Sequence, residues 1–263
     1  MEELLQSLEI IRRRLKDYGN RLTRICSKCP NTFSMIFNNT TLTLELLTYY
    51  FKIWKRPPPP SLSSDEIERL RKENAQRVLT ITKWAFVSAL SLIEYSAKET
   101  LKIIKDKSFK QLREKLQQDE PVYLRTIMKK SQETKLIDEK QYKTWKTLIK
   151  IRNVIVHNNA IADINAKFEI NDMKITFIKG EMLKGKLDFF VKLLEITIDH
   201  WKKWLHEFLI AHFRRNRTQK QKGLPTKCKK CGGFLQWFKN QYLCKNCGYV
   251  VLTIEIGEEE KVE

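Results

Sequence analysis

Residues 145–159 read Trp145-Lys146-Thr147-Leu148-Ile149-Lys150-Ile151-Arg152-Asn153-Val154-Ile155-Val156-His157-Asn158-Asn159. At about 100° per residue, with Arg152 at zero, Trp145 falls at about 20°, Leu148 at about 320°, Ile155 at about 300° and Val156 at about 40°. This is the apolar stripe of an amphipathic helix, expected over 138–157 and stopped by Asn158 and Asn159. On this wheel Arg152 occupies the middle of the apolar face, a costly place for a guanidinium unless partners or a water-filled cleft receive it. Asn153 at about 100° and His157 at about 140° follow round one edge, with the histidine at the helix end.

Outward from this helix the pattern stays helical. Shorter helices are expected at 108–118 and 121–131, separated by Pro121 and polar residues. Downstream, Phe168, Ile170, Ile175 and Phe177 alternate around Asn171-Asp172 between Lys167 and Ile178, the pattern of a small β-hairpin. A last long helix, 186–213, carries Leu187, Phe190, Leu194, Ile198, Trp201, Leu205 and Phe208 along one side. Trp201 and Trp204 read as packing residues.

Upstream, Ser63 with Glu66 three residues on forms a capping box that opens one long helix, or two in line, to roughly Asp106. Four prolines, Pro57 to Pro60, stop any helix before it and act as a stiff spacer. Residues 1–25 place Leu4, Leu8, Ile11, Leu15, Tyr18 and Leu22 on one helical face, with Arg12, Arg13 and Arg14 mostly on the wet side. Thr41 to Trp54 returns as a second helix, although its Thr and aromatic content also suits a strand. The fold class expected is mainly α: a helical bundle with a short β-hairpin insertion.

The chain has 263 residues, 42% of them hydrophobic and 31% charged, as in a globular protein, with a formal net charge of +19. So large a positive field favours polyanions, nucleic acid first and an anionic membrane surface second. Val78 to Ala97 is the most apolar window but carries Lys83 and Glu94, so it reads as a core helix and not a bilayer span. Glu2 and Glu3 do not suit an export signal. A cytoplasmic location with no membrane partner is therefore expected, and there paired cysteines read as metal ligands before disulfides.

Cys228-x2-Cys231, twelve residues, then Cys244-x2-Cys247 is the spacing of a zinc ribbon. Gly232 and Gly248 follow the two pairs, and the aromatic stretch from Phe234 to Leu243 reads as a strand hairpin. Four thiolates fill a tetrahedral Zn²⁺ and leave no position for water, so the expected cofactor is structural, not catalytic. Metal binding is worth about 10–16 kcal/mol in small zinc modules, enough to fold one without a core. Arg214, Arg215, Arg217, Lys220, Lys222, Lys229 and Lys230 crowd the neck before and within it, weaker candidates for nucleic-acid contact. Cys26 and Cys29 form half a site at most, open between core or turn cysteines, a zinc shared by two subunits and a disulfide. The organisation expected is an N-terminal helical segment at 1–56, a proline-rich linker at 57–64 and a helical domain at 65–213. A basic neck at 214–226, the ribbon at 227–256 and an acidic tail at 257–263 follow.

A histidine can take a proton from a ribose 2′-hydroxyl near neutral pH, and a guanidinium can stabilise the crowded phosphorane that forms. Arg152 and His157 therefore suggest RNA cleavage, while a capping histidine and a salt-bridged arginine would account for the same residues structurally. His200, His206 and His212 point to different faces of their helix and read as surface or boundary residues, not a metal cluster.

Arg152-Asn153-x3-His157 resembles the Arg-x4–6-His motif of the HEPN superfamily (higher eukaryote and prokaryote nucleotide-binding domain). The polar residue after the arginine, the following Asn158-Asn159, the hairpin and the long final helix are also similar to members of that group, over about residues 65–213. The resemblance implies a HEPN-like bundle that pairs as a homodimer, two motifs forming one metal-independent endoribonuclease site that leaves 2′,3′-cyclic phosphate ends. By position it makes Arg152 the phosphate stabiliser and His157 the acid/base, with Asn153 supporting, and RNA the partner. It also implies a toxin or antiviral defence effector. The segment 1–56 and the ribbon lie outside the family pattern. The alternative is a non-catalytic nucleic-acid-binding or scaffold protein.

Overall fold

The computed structural model describes residues 2–25, 32–54, 61–158, 160–171, 173–183, 188–222, 230–231, 235–238, 241–244, 247 and 250–253. Cys26 and Cys29, the proline run, Cys228, Lys229 and the acidic tail lie outside the described residues. By its internal contacts the chain divides into two compact units, Met1–Ala211 and His212–Glu263.

The first unit is mainly helical. Helix α1 (Glu2–Ile25) and α2 (Thr32–Trp54) form a helical hairpin at the N-terminus. The second helix starts earlier than its hydrophobic pattern suggested, and Phe33, Ile36 and Leu47 are buried along it at helical spacing. Its threonines do not force a strand: Thr43 and Thr48 fold their hydroxyls onto the carbonyls of Asn39 and Leu44, at 2.9 and 2.7 Å. Leu4, Leu8, Ile11 and Leu15 of α1 join the same continuous core as the rest of the unit, so the proline run does not separate two cores.

Helix α3 (Ser64–Ile103) is one uninterrupted helix. The Ser63 backbone N–H donates to the Glu66 carboxylate at 2.8 Å, and Glu66 N–H donates back to the Ser63 hydroxyl at 3.3 Å. These bonds satisfy orphan donors of the first turn and hold the Glu66 carboxyl below its ordinary value, through the Ser63 backbone and then its side chain. Although α3 is long and apolar enough to cross a bilayer, its apolar half, including Phe86, Leu90, Ile93 and Leu101, is spent on the core.

A short 3₁₀ turn (Lys107–Phe109), α4 (Lys110–Gln117), α5 (Leu124–Glu133) and α6 (Glu139–His157) follow. The expected hairpin is present as antiparallel β1 (Ala166–Ile170) and β2 (Met173–Phe177), with Ile170 opposite Met173 and Ala166 opposite Phe177. Asn171 at φ 45° supplies the positive dihedral that so tight a connection requires.

Helix α7 (Phe189–Lys222) runs well past 213. Gly223 and Pro225 are the first breakers, and the Lys, Arg and Gln before them are good helix formers. Arg214, Arg215, Arg217, Lys220 and Lys222 of the expected neck thus lie on helical backbone, with their side chains outside the description. Along α7, Trp201 stacks on Trp204 at 4.9 Å between ring centroids, and Trp204 on Phe208 at 5.1 Å. Trp201 and Trp204 are fully buried, as packing residues should be. Trp204 Nε1 donates to Ser131 Oγ at 2.8 Å, and that hydroxyl donates to the Ile127 carbonyl, so the buried indole costs no unpaired donor.

Candidate functional site

Helix α6 begins at a second capping box. Gln141 N–H donates to the Asp138 carboxylate at 2.7 Å, and Asp138 N–H to the Gln141 amide oxygen at 3.0 Å. Gln141, Thr144, Trp145, Thr147, Leu148, Ile151, Val154 and Ile155 are buried. Ile151 and Val154, at about 260° and about 200° on the same wheel, extend the buried arc on the side away from Arg152. Its centre therefore lies near Ile155, and Arg152 stands at its rim. The expectation of an arginine in the middle of the buried face is corrected on this point: Arg152 and Asn153 are half-buried, and Val156 and His157 are exposed.

This rim position removes the desolvation problem. Half-buried, Arg152 has the burial usual for a long cation, whose stem can lie on apolar surface while its head reaches water. Its Nη1 donates to Asn153 Oδ1 at 3.1 Å and its Nη2 approaches Ser91 Oγ of α3 at 3.5 Å. Among the described residues no carboxylate pairs with Arg152, and none hydrogen-bonds the His157 ring. Asn158 N–H, donating to the Val154 carbonyl at 3.2 Å, closes the helix. The chain then turns through Ala160 at φ 68°, and Lys150 holds the following loop by a 2.8 Å ion pair to Asp163. The hydrogen bond from Lys150 keeps the Asp163 carboxyl below its ordinary value.

Beside this edge, α3 presents Trp84, Ser88, Ser91 and Tyr95 at steps of four, three and four residues, the spacing of one helix face. Trp84 and Tyr95 are each 53% exposed, and Val156 continues the apolar surface next to Arg152. Reasoning from sequence missed Ser91 and this stripe. The stripe's spacing was readable, but its adjacency to α6 is a matter of tertiary packing.

Of the remaining histidines, His206 is exposed with Nδ1 3.8 Å from Glu207. His200 is half-buried, its ring edge against Trp145 at 6.2 Å and its Nδ1 shut from solvent with no hydrogen-bond partner among the described residues. Burial, reinforced by the charge of Lys203, pushes its pKa below the ordinary 6.5.

The second unit contains β3 (Leu235–Phe238), β4 (Gln241–Cys244) and β5 (Val250–Thr253), an antiparallel sheet in that order with Leu235 opposite Cys244. Cys231 Sγ and Cys247 Sγ, one from each Cys-x2-Cys pair, lie 3.4 Å apart. That is far beyond a disulfide bond of about 2.05 Å. It is close to the separation of about 3.8 Å that two thiolates reach on a tetrahedral zinc with bonds of about 2.3 Å. The donor chemistry and the approach of the two knuckles fit Zn²⁺. Cys228 and the Cys244 side chain lie outside the description, and among the described residues no group of three metal-binding side chains is assembled.

No protein-family model, curated protein or solved structure matches the chain. What the site can do follows from its residues.

Proposed function

We propose that this chain is a metal-independent endoribonuclease of the HEPN type, acting on RNA as a homodimer. The observation that carries the proposal is that, among the described residues, Arg152 meets only the neutral Asn153 and Ser91 and His157 makes no side-chain hydrogen bond. A structural arginine would be met by a carboxylate and a structural histidine by a capping bond; among the described residues neither is present. An unneutralised guanidinium and an open imidazole five residues apart at the end of α6 suit a phosphodiester better than they suit the fold.

In this mechanism neutral His157 takes the proton from a ribose 2′-hydroxyl as its oxygen attacks the adjacent phosphorus. Arg152 stabilises the added negative charge on the five-coordinate phosphorane, and Asn153 holds the guanidinium. The bond from phosphorus to the 5′-oxygen then breaks, and an imidazolium returns a proton to that oxygen. The products are a 2′,3′-cyclic phosphate and a 5′-hydroxyl, so atoms and charge balance without a metal. Trp84, Ser88, Ser91, Tyr95 and Val156 are the surface a second copy would cover, small residues between two aromatics letting α3 approach its twin. Pairing there sets two Arg152–His157 edges against one cleft.

Cys228, Cys231, Cys244 and Cys247 hold a structural zinc in this account, which folds the C-terminal module. The net charge of +19 favours RNA as the partner. A cytoplasmic toxin or antiviral effector is the setting such chemistry would serve. The test is cleavage of single-stranded RNA in EDTA by purified protein, with dimer mass followed by light scattering. Arg152→Ala and His157→Ala should each slow cutting by about 10²–10³-fold and leave the dimer intact. Dimers that bind RNA and never cut it would favour a nucleic-acid-binding scaffold.

A further inference from the structure

A cavity of about 850 Å³ opens between α1 and α7, and no residue of the proposed nuclease edge is among its described lining. Its size lies within the range of about 300–1,000 Å³ typical of ligand sites. Buried Phe33, Leu205 and Leu209 form its floor, and Tyr18 stands half-buried with its ring edge-to-face to Phe33 at 5.7 Å. The rim is cationic: Arg14, Arg21, Lys202 and Lys203 face a single lining carboxylate, Asp199.

These cations are not equivalent. Arg14 is spent inside the protein, with Nη1 on Glu195 at 2.6 Å and Nη2 on Asp199 at 2.5 Å. Burial works against its charge, but hydrogen bonds with Tyr18 and Asp199 outweigh it and raise the pKa, so Arg14 locks α1 to α7. Asp199 is consumed by the same pair. Lys202 is left with its Nζ 4.1 Å over the Tyr18 ring, and Arg21 and Lys203 have no carboxylate partner among the described residues. Like charges gathered without neutralisation repel one another, and a polyanion relieves that repulsion.

An apolar and aromatic floor under unpaired cations is the combination that tracks single strands: bases stack on the rings and phosphates meet the charges. A free inorganic anion would leave the floor unused.

We propose that the α1–α7 groove is a binding site for single-stranded RNA, with Arg21 and Lys203 on phosphate and a base taking the place of the Lys202 ammonium over Tyr18. The choice of RNA over DNA rests on the ribonuclease reading; the groove itself does not. The groove's described lining shares no residue with the cleaving edge, and it would hold the strand while that edge acts.

The test uses fluorescence anisotropy of a labelled oligouridine with the full-length chain carrying His157→Ala, so that turnover does not consume the probe. Adding Arg21→Glu and Lys203→Glu should weaken binding by about tenfold or more, whereas Lys105→Glu with Lys129→Glu, the same charge change outside the groove, should cost about threefold or less. Arg21→Gln with Lys203→Gln serves if the charge reversals unfold the protein in a thermal melt. Unchanged affinity in the groove variants, an equal loss in the control pair, or a mononucleotide binding as tightly as the strand would each overturn the proposal. If wild-type protein never cuts RNA but the groove variants still lose binding, the groove stands and the nuclease reading falls.

Discussion

Arg152 Nη2 reaches toward Ser91 Oγ across 3.5 Å, joining α6 to α3 at residues 61 positions apart in the chain. The same guanidinium rests on Asn153 Oδ1 at 3.1 Å, so two short polar side chains aim it along the surface. Substituting Asn153 should therefore act through Arg152. Asn153→Ala is expected to lower kcat with little change in KM, and Asn153→Asp to pair with the guanidinium and suppress cleavage more strongly. Single-turnover rates for the two variants check this order.

Trp84 and Tyr95 tie the catalytic proposal to pairing. Both are half in solvent, so replacing them should barely disturb the isolated fold. Trp84→Glu with Tyr95→Glu is expected to halve the mass seen by light scattering and to remove RNA cleavage, with the melting temperature of the folded chain nearly kept. An active monomer would show that the site is not shared.

His200 gives a pH dependence of known sign. Its folded pKa is depressed below the ordinary 6.5 by burial and Lys203, so the unfolded chain binds the proton more readily. The stability it contributes is fully present above about pH 6.5 and is lost as pH falls through the folded value. Melting temperature should drop on acidification below about pH 6.5, and His200→Phe should flatten part of that slope. Thermal melts across pH 5 to 8 in both proteins provide the comparison.

The Trp204–Ser131 bond makes a sharper prediction for the core. Trp204→Phe removes the donor and part of a fully buried ring, and should cost about 2–4 kcal/mol in urea unfolding. Ser131→Ala, which leaves the indole N–H unpaired, should cost about 1–3 kcal/mol.

For the ribbon, the 3.4 Å approach of Cys231 and Cys247 predicts one zinc per chain by elemental analysis. Cys231→Ser with Cys247→Ser should reduce that stoichiometry to none. Retained zinc would place the metal elsewhere.

The helices were legible because their apolar residues recur every three or four positions, and the capping box at Ser63 marked one start without ambiguity. The hairpin was equally plain from its alternation around Asn171. Three things were not legible. The start of α2 is hidden because Thr32 and Thr40 are buried polar residues that a hydrophobicity pattern passes over. Arg152 was misplaced on its helix for a different reason, since the buried Ile151 and Val154 extend the inner face on the side away from it. Arg14 reads as a solvent-facing cation in α1, yet it pairs with Glu195 and Asp199, a relation that no local pattern encodes. Arg152, Asn153 and His157 were found from sequence; Ser91 and the Trp84–Tyr95 face required the packing of α3 on α6.

The central claim is that a 2′-hydroxyl, activated at His157 and assisted by Arg152, cuts RNA without a metal. Mass spectrometry of the ends left on a single-stranded RNA after incubation with wild-type protein in EDTA measures it directly. The expected outcome is 2′,3′-cyclic phosphate and 5′-hydroxyl ends, with rates reduced by about 10²–10³-fold in Arg152→Ala and His157→Ala. Intact RNA, or the same cleavage from wild type and both variants, would contradict it.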